Sequence, residues 1–191
     1  FAAMIGRVLG VSDFDTVREV IGKLQTLGFQ IAMRSGITWS MADMIVPVEK
    51  QDVLEASRRE VALIWDQFNQ GLLTDAERRA RIVSVWEGAK AKIAKIVASV
   101  LPEENSIYQI IDSGARGSWS QPIQMMGMKG LVQNPKGETI ELPILSSLKE
   151  GLSVLEYFIS THGARKGTTD TALKTAQAGY LTRRLVDVAQ D

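Results

Sequence analysis

Cysteine is absent from the sequence, and histidine occurs once, at His162. The first absence excludes thiolate catalysis, disulfides and thiolate zinc sites, and the second leaves too few imidazoles for a histidine-rich metal centre. His162 has no Ser or Cys nucleophile arranged beside it, so a polar or core-edge histidine is expected. No charge of one sign dominates: 22 Lys and Arg face 22 Asp and Glu. Any polyanion binding must therefore come from local clustering. No apolar run approaches the roughly 18 residues of a membrane span, and no stretch reads as a secretory signal. A soluble, intracellular protein that binds no metal of its own is the expectation. Phe1 is not an initiator methionine, and "LVDVAQD" closes without a turn or polar tail, as expected of a piece of a longer chain.

What is present reads mainly as helix. In "DFDTVREVIGKLQTLGF" the apolar positions Val17, Val20, Ile21 and Leu24 share one face, Thr16 with Glu19 forms a capping box, and Gly28 is the expected stop. The strongest pattern lies at 48–100. Leu54, Ser57, Val61, Ile64 and Phe68 alternate steps of three and four, and Ile82, Trp86, Ala89, Ile93, Ile96 and Val100 resume the stripe. Gly71 ends the first helix, and Thr74 with Glu77 opens the second. This predicts two antiparallel helices of about 22–26 residues, packed as a hairpin. Their outer faces mix both charge signs, which suits either a solvated surface or a docking post.

Residues 105–147 differ in kind. "DSGARGSWSQ" and "MMGMKGLVQNPKGE" are rich in glycine, and "ETIELPI" alternates like a short strand after an Asn-Pro-Lys-Gly turn. Arg116, between Gly114 and Gly117, is either a surface arginine on a turn or one held where backbone approaches a ligand. Residues 148–190 contain no proline and read as one long helix that includes Gly151, Gly163, Gly167 and Gly179. Each interior glycine costs about 1 kcal/mol relative to alanine, so close approach of another body or a need to bend is expected. Thr171, Thr175, Gly179 and Arg183 recur at i+4, a bare stripe ending in an arginine. From Thr161 to Arg184 five basic residues face one acid, a local excess that points to a phosphate-bearing partner or to a solvated face. "GARKGTT" misses the Walker spacing, since Thr168 and not Lys comes after Gly167. Asp13 and Asp15 lack a third acid and suit a helix N-terminus.

The fold class expected is mainly α: a long antiparallel helical hairpin, a Gly-rich loop region with a small β-hairpin, and a long C-terminal helix. The segments are 1–47, 48–101, 102–147 and 148–191.

Longer runs add a resemblance. "DSGARGS", "GMKGLV" and "EGLSVLEYFISTHGARKGTTDTALKTAQAGYLTRRLVDVAQD" closely resemble the β′ subunit of bacterial DNA-directed RNA polymerase, over essentially the whole chain and almost continuously from Asn105 onward. The resemblance implies that 48–101 are the rim helices of the secondary channel, 102–147 the funnel with its F-loop, and 148–191 the bridge helix. It implies that Thr175, Ala176 and Gly179 lie against the templating base, with Lys174, Tyr180 and Arg183 near the template strand and Arg183 on a phosphate. Arg116 and Gln121 would face the substrate-entry side. The implied partners are the β, α, ω and σ subunits, template DNA with the RNA–DNA hybrid, and transcription factors at the rim, in the bacterial cytoplasm and nucleoid. Small residues let a flat base pack close, and an arginine positions a phosphate without reading sequence. The family's "NADFDGD" loop, which holds the catalytic Mg2+ of the complete enzyme, is not in this sequence. No catalytic residue, metal ligand or bound cofactor is therefore expected in the chain, which would be inactive alone. Pro122 and Met125 depart from the commoner F-loop wording. The competing reading is a stand-alone helical protein-interaction module.

Overall fold

The computed structural model describes residues 2–190, and the chain divides into two compact units, Phe1–Trp39 and Ser40–Asp191. In the first, α1 (Ala2–Leu9) packs on α2 (Phe14–Ser35). Asp13, not Thr16, caps α2: its carboxylate accepts from the Thr16 amide and hydroxyl. An aspartate at this position satisfies an orphan amide and adds favourable charge at the positive helix end. Nor does Gly28 stop the helix. Termination waits for Gly36, which takes the left-handed conformation (φ 62°, ψ 18°) that a C-cap requires. Val17 is the buried side chain of this pair, while Phe29 and Met33 stand exposed.

The second unit is built on α3 (Lys50–Asn69) and α4 (Asp75–Val100), joined at Gln70–Thr74 and packed side by side. Gly71 adopts φ 76° at the turn, and Thr74 with Glu77 forms a reciprocal capping box. Leu54 and Ile64 of α3 meet Ile82, Trp86, Ala89, Ile93 and Val97 of α4 in one apolar core. The buried stripe on α4 ends at Val97, with Leu101 buried at the C-cap, rather than at Ile96 and Val100, which are only half-buried. Alternating steps of three and four average 3.5 residues per turn, whereas a helix turning every 3.6 residues drifts from them by about 20° per heptad.

The glycine-rich segment contains more helix than its composition indicates. Asn105 caps α5 (Ser106–Asp112), and α6 (Ser120–Pro122) runs directly into a single π-type turn, Ile123–Gly127. That turn lies against α4, with Met126, Gly127 and Met128 buried. The fit is close: a Cβ on Gly127 would stand 2.8 Å from Ile93 Cγ2 and 3.2 Å from Val97 Cγ2. Both methyls belong to β-branched side chains with little rotamer freedom in a helix. Gly127→Val is therefore expected to destabilise the unit by about 1–3 kcal/mol, as overpacking does, read from the midpoint of urea unfolding.

The expected β-hairpin is reduced to two isolated antiparallel bridges, Gly130↔Ile144 and Gln133↔Thr139, around the Asn134–Gly137 turn. Three residues' separation on one arm faces five on the other, so no continuous ladder can form, and Pro143 supplies no amide to it. The second unit ends in α7 (Val154–Val188), which continues as α-helix through Gly163, Gly167 and Gly179. Gly151 is not part of it: at φ 87° it turns the chain before the Ser153 N-cap.

Candidate nucleic-acid interface

The residues singled out on α7 are laid out by helical geometry. At about 100° per residue, Thr171, Thr175, Gly179 and Arg183 advance slowly around the helix and stay on one side. Ala176 falls beside Gly179 and Arg183. Lys174 lies about 100° to one side of Thr175, and Tyr180 about 140° to the other. The six candidates thus wrap some two-thirds of the circumference, with the small residues in the middle and Lys174 and Tyr180 on opposite flanks.

Every residue from Thr171 to Gln190 is exposed. Within this bare stretch the polar groups are largely committed to the helix itself. Thr175 Oγ1 donates to the Thr171 carbonyl at 2.7 Å, and Thr171 Oγ1 donates to the Gly167 carbonyl at 2.8 Å. The hydroxyls are turned inward, so methyl groups and bare backbone form the stripe. Lys166 pairs with Asp170 at 3.3 Å, and Arg183 sits 3.9 Å from Asp187, an acid just outside the basic window. Arg184 lies 5.5 Å from the Tyr180 ring centroid. Among the described residues Arg165, Lys174 and Arg184 form no ion pair, so their charge is the part of the cluster still open to an anion. The i+4 partner of Arg183 is readable in the sequence but lies beyond the stretch over which the basic excess is counted.

The base of α7 is built very differently from its length. Glu156 completes the capping box with Ser153, accepting from its amide at 2.9 Å. The same carboxylate accepts from the amides of Leu145 and Ser146, both at 3.0 Å, and from the Ser146 hydroxyl at 2.9 Å. Partial burial pushes the Glu156 carboxyl up, but the bonds from Ser153 and Ser146 outweigh it and bring its pKa down to about 2. A carboxyl whose pKa is lower folded than unfolded stabilises the fold above its unfolded value, and that contribution disappears as pH falls towards the folded value. Its contribution, on the order of 2 kcal/mol after solvent screening, should be complete above about pH 5 and lost between there and about pH 2. Thermal unfolding of the native protein and of Glu156→Gln across that range checks this, the gap in Tm closing as pH falls.

Arg116 is exposed between Gly114 (φ 69°) and Gly117 (φ 84°). Gln121 is occupied locally. Its Oε1 accepts from the Ser118 amide at 2.6 Å and from the Ser118 hydroxyl. His162 is exposed. No three carboxylates or imidazoles converge among the described residues. No helix among the described residues is long and apolar enough to cross a membrane.

Sequence reasoning missed a second polar site, at the turn end of the hairpin. Arg78, buried on α4, donates to Asp75 and Glu141 and lies 4.2 Å from the Trp65 ring centroid. Its arginine is visible in "AERRARI", but its carboxylate 63 residues away is not.

Residues 55–150 match the family described as RNA polymerase Rpb1, domain 4. The chain belongs to that family. Residues 151–191 match RNA polymerase Rpb1, domain 5, and the two matched regions meet beside the Gly151 turn that precedes α7. The chain is 52% identical over 175 residues to the DNA-directed RNA polymerase subunit beta' of Tropheryma whipplei, covering 92% of this chain and 14% of that one. It is 53% identical over 173 residues to that of Geobacillus kaustophilus (91% and 14%), and 48% identical over 188 residues to that of Acholeplasma laidlawii (98% and 14%). The chain therefore spans about one-seventh of the length of these polymerase subunits.

Proposed function

We propose that this chain acts within a bacterial DNA-directed RNA polymerase, with α3 and α4 as rim helices of the secondary channel, the segment from α5 through the two-bridge ribbon at 130–144 as funnel and F-loop, and α7 as the bridge helix. In this reading the stripe Thr171–Thr175–Gly179 lies against the template base awaiting pairing. Ala176 extends the stripe, Lys174 and Tyr180 flank the strand, and Arg183 sits near a phosphate. Arg116 faces the route by which nucleotides enter. The partners are the β, α, ω and σ subunits, template DNA with the nascent hybrid, and factors that dock on the rim. Mg2+ is held elsewhere in the complete enzyme, and the isolated chain performs no nucleotidyl transfer.

The single observation that supports this most is the contrast along α7. Its base is fixed by Glu156, while every residue from Thr171 to Gln190 is exposed and carries a small-residue stripe with internally satisfied hydroxyls. The family match favours this reading over a stand-alone module. The test is a photoreactive thymine analogue placed at the templating position of an assembled elongation complex. Crosslinks are expected to map to residues 171–183, and crosslinks confined to other segments would refute the template-face assignment.

A further inference from the structure

α7 is attached to the second unit at one end. Among the described residues Ile159 is its only buried side chain, and past Asp170 all are exposed. Besides the packing of Ile159, three contacts hold the attachment. Glu156 binds the Leu145–Ser146 backbone, Lys129 donates to the Ser160 hydroxyl, and Gly163 comes so near the ribbon that a Cβ there would stand 3.5 Å from Val132 Cβ. Glu156 differs from the other two in kind. Its two oxygens serve four donors, on both the helix cap and the incoming segment, so one side chain fixes the angle between them. Hydrogen bonds to an ionised acceptor are about twice as strong as neutral ones.

We infer that Glu156 is a positioning residue for template-directed synthesis: by locking the start of α7 to Leu145–Ser146, it sets the direction in which the helix carries Thr175. The inference rests on the template-face reading proposed above. The lever is long. Nineteen residues of helix separate Glu156 from Thr175, about 29 Å at 1.5 Å per residue. A tilt of about 5° at the base would move Thr175 by about 2.5 Å over that length, and misplacements of about 1 Å can cost a hundredfold in rate. Glu156 touches neither nucleic acid nor substrate in this arrangement and acts only through the helix.

The test uses complete polymerase assembled with full-length subunits carrying Glu156→Ala or Glu156→Gln. Glutamine keeps an oxygen that can accept from the Leu145 and Ser146 amides; alanine keeps none. Glu156→Ala should lower kcat for single-nucleotide addition about tenfold with KM for the nucleotide changed less than about threefold. The template crosslink within 171–183 should weaken in parallel, and Glu156→Gln should recover most of both. A purely structural role would lower Tm and leave the crosslink pattern and the kcat–KM split alone. Wild-type kcat and crosslinking in Glu156→Ala would overturn the inference. If that enzyme fails to assemble, Ser146→Ala removes a single donor and should lower kcat about two- to threefold; an unchanged rate and crosslink there also overturn it. Absence of the crosslink in the unmodified enzyme would refute the template-face reading itself, and this inference with it, whatever the variants do.

Discussion

Thr175→Trp in the complete polymerase is expected to slow nucleotide addition at least about tenfold while leaving the protein's own stability nearly unchanged. Thr175 is exposed, and its hydroxyl bonds to the Thr171 carbonyl of its own helix. Surface substitutions of this kind usually stay within about 0.5 kcal/mol, and Thr and Trp have similar helix propensities. An indole at that point would stand out from the stripe and fill the space against which a base would pack. Displacing a reacting group by about 1 Å is enough for a hundredfold loss, so tenfold is a conservative figure. Thr175→Ala, which keeps the face bare, should elongate at close to the normal rate. Stopped-flow nucleotide addition on a fixed template separates the two. A tryptophan variant that elongates normally would place the template on another face of α7.

The second large effect concerns stability. Glu150→Ala should destabilise the second unit by about 3 kcal/mol or more, whereas Lys50→Met should cost much less. Lys50 opens α3 with only 1% of its surface accessible, and its ammonium pairs with Glu150. Glu150 is itself less enclosed, with 31% of its side chain accessible, and also accepts from the Ser147 amide and hydroxyl, each at 2.8 Å. Burial pushes the Glu150 carboxyl up, yet the bonds from Lys50 and Ser147 prevail and hold it below the usual glutamate value. Removing Glu150 strands a desolvated cation. Removing Lys50 leaves a carboxylate with two donors and a path to water, and methionine refills the space. Urea unfolding at neutral pH measures the difference; equal losses for the two variants would mean that Lys50 finds another partner.

The fold was legible where periodicity could act. The α3–α4 stripe, the Gly71 turn, the Thr74–Glu77 cap and the long C-terminal helix all arise from local spacing. Predictions failed where a choice between local alternatives was settled by one or two atoms. Asp13 outcompeted Thr16 as a cap, Gly36 rather than Gly28 took the left-handed conformation, and Gly151 fell outside α7. The helices within 105–127 were hidden because glycine content reads as loop, while the burial of Met126, Gly127 and Met128 on α4 depends on partners distant in sequence. The candidate residues on α7 could be located from the sequence since they share one helix. The groups that hold that helix, Glu156 with Leu145 and Ser146, could not, because their connection runs through backbone amides that have no sequence signature.

The Lys50–Glu150 pair has a companion: Lys149 donates to the Met44 carbonyl. Residues 44–50 and 149–150 are thereby stapled together, although 100 or more positions separate them along the chain. Everything between, from α3 to the end of the ribbon, is an excursion that departs from and returns to one place. Such a closed base is the property that lets a segment be lengthened, shortened or grafted without disturbing its neighbours in the chain. A change of length at residues 70–74 is therefore expected to leave residues 44–50 and 149–150 paired, whatever it does to the Arg78–Glu141 contact near the tip.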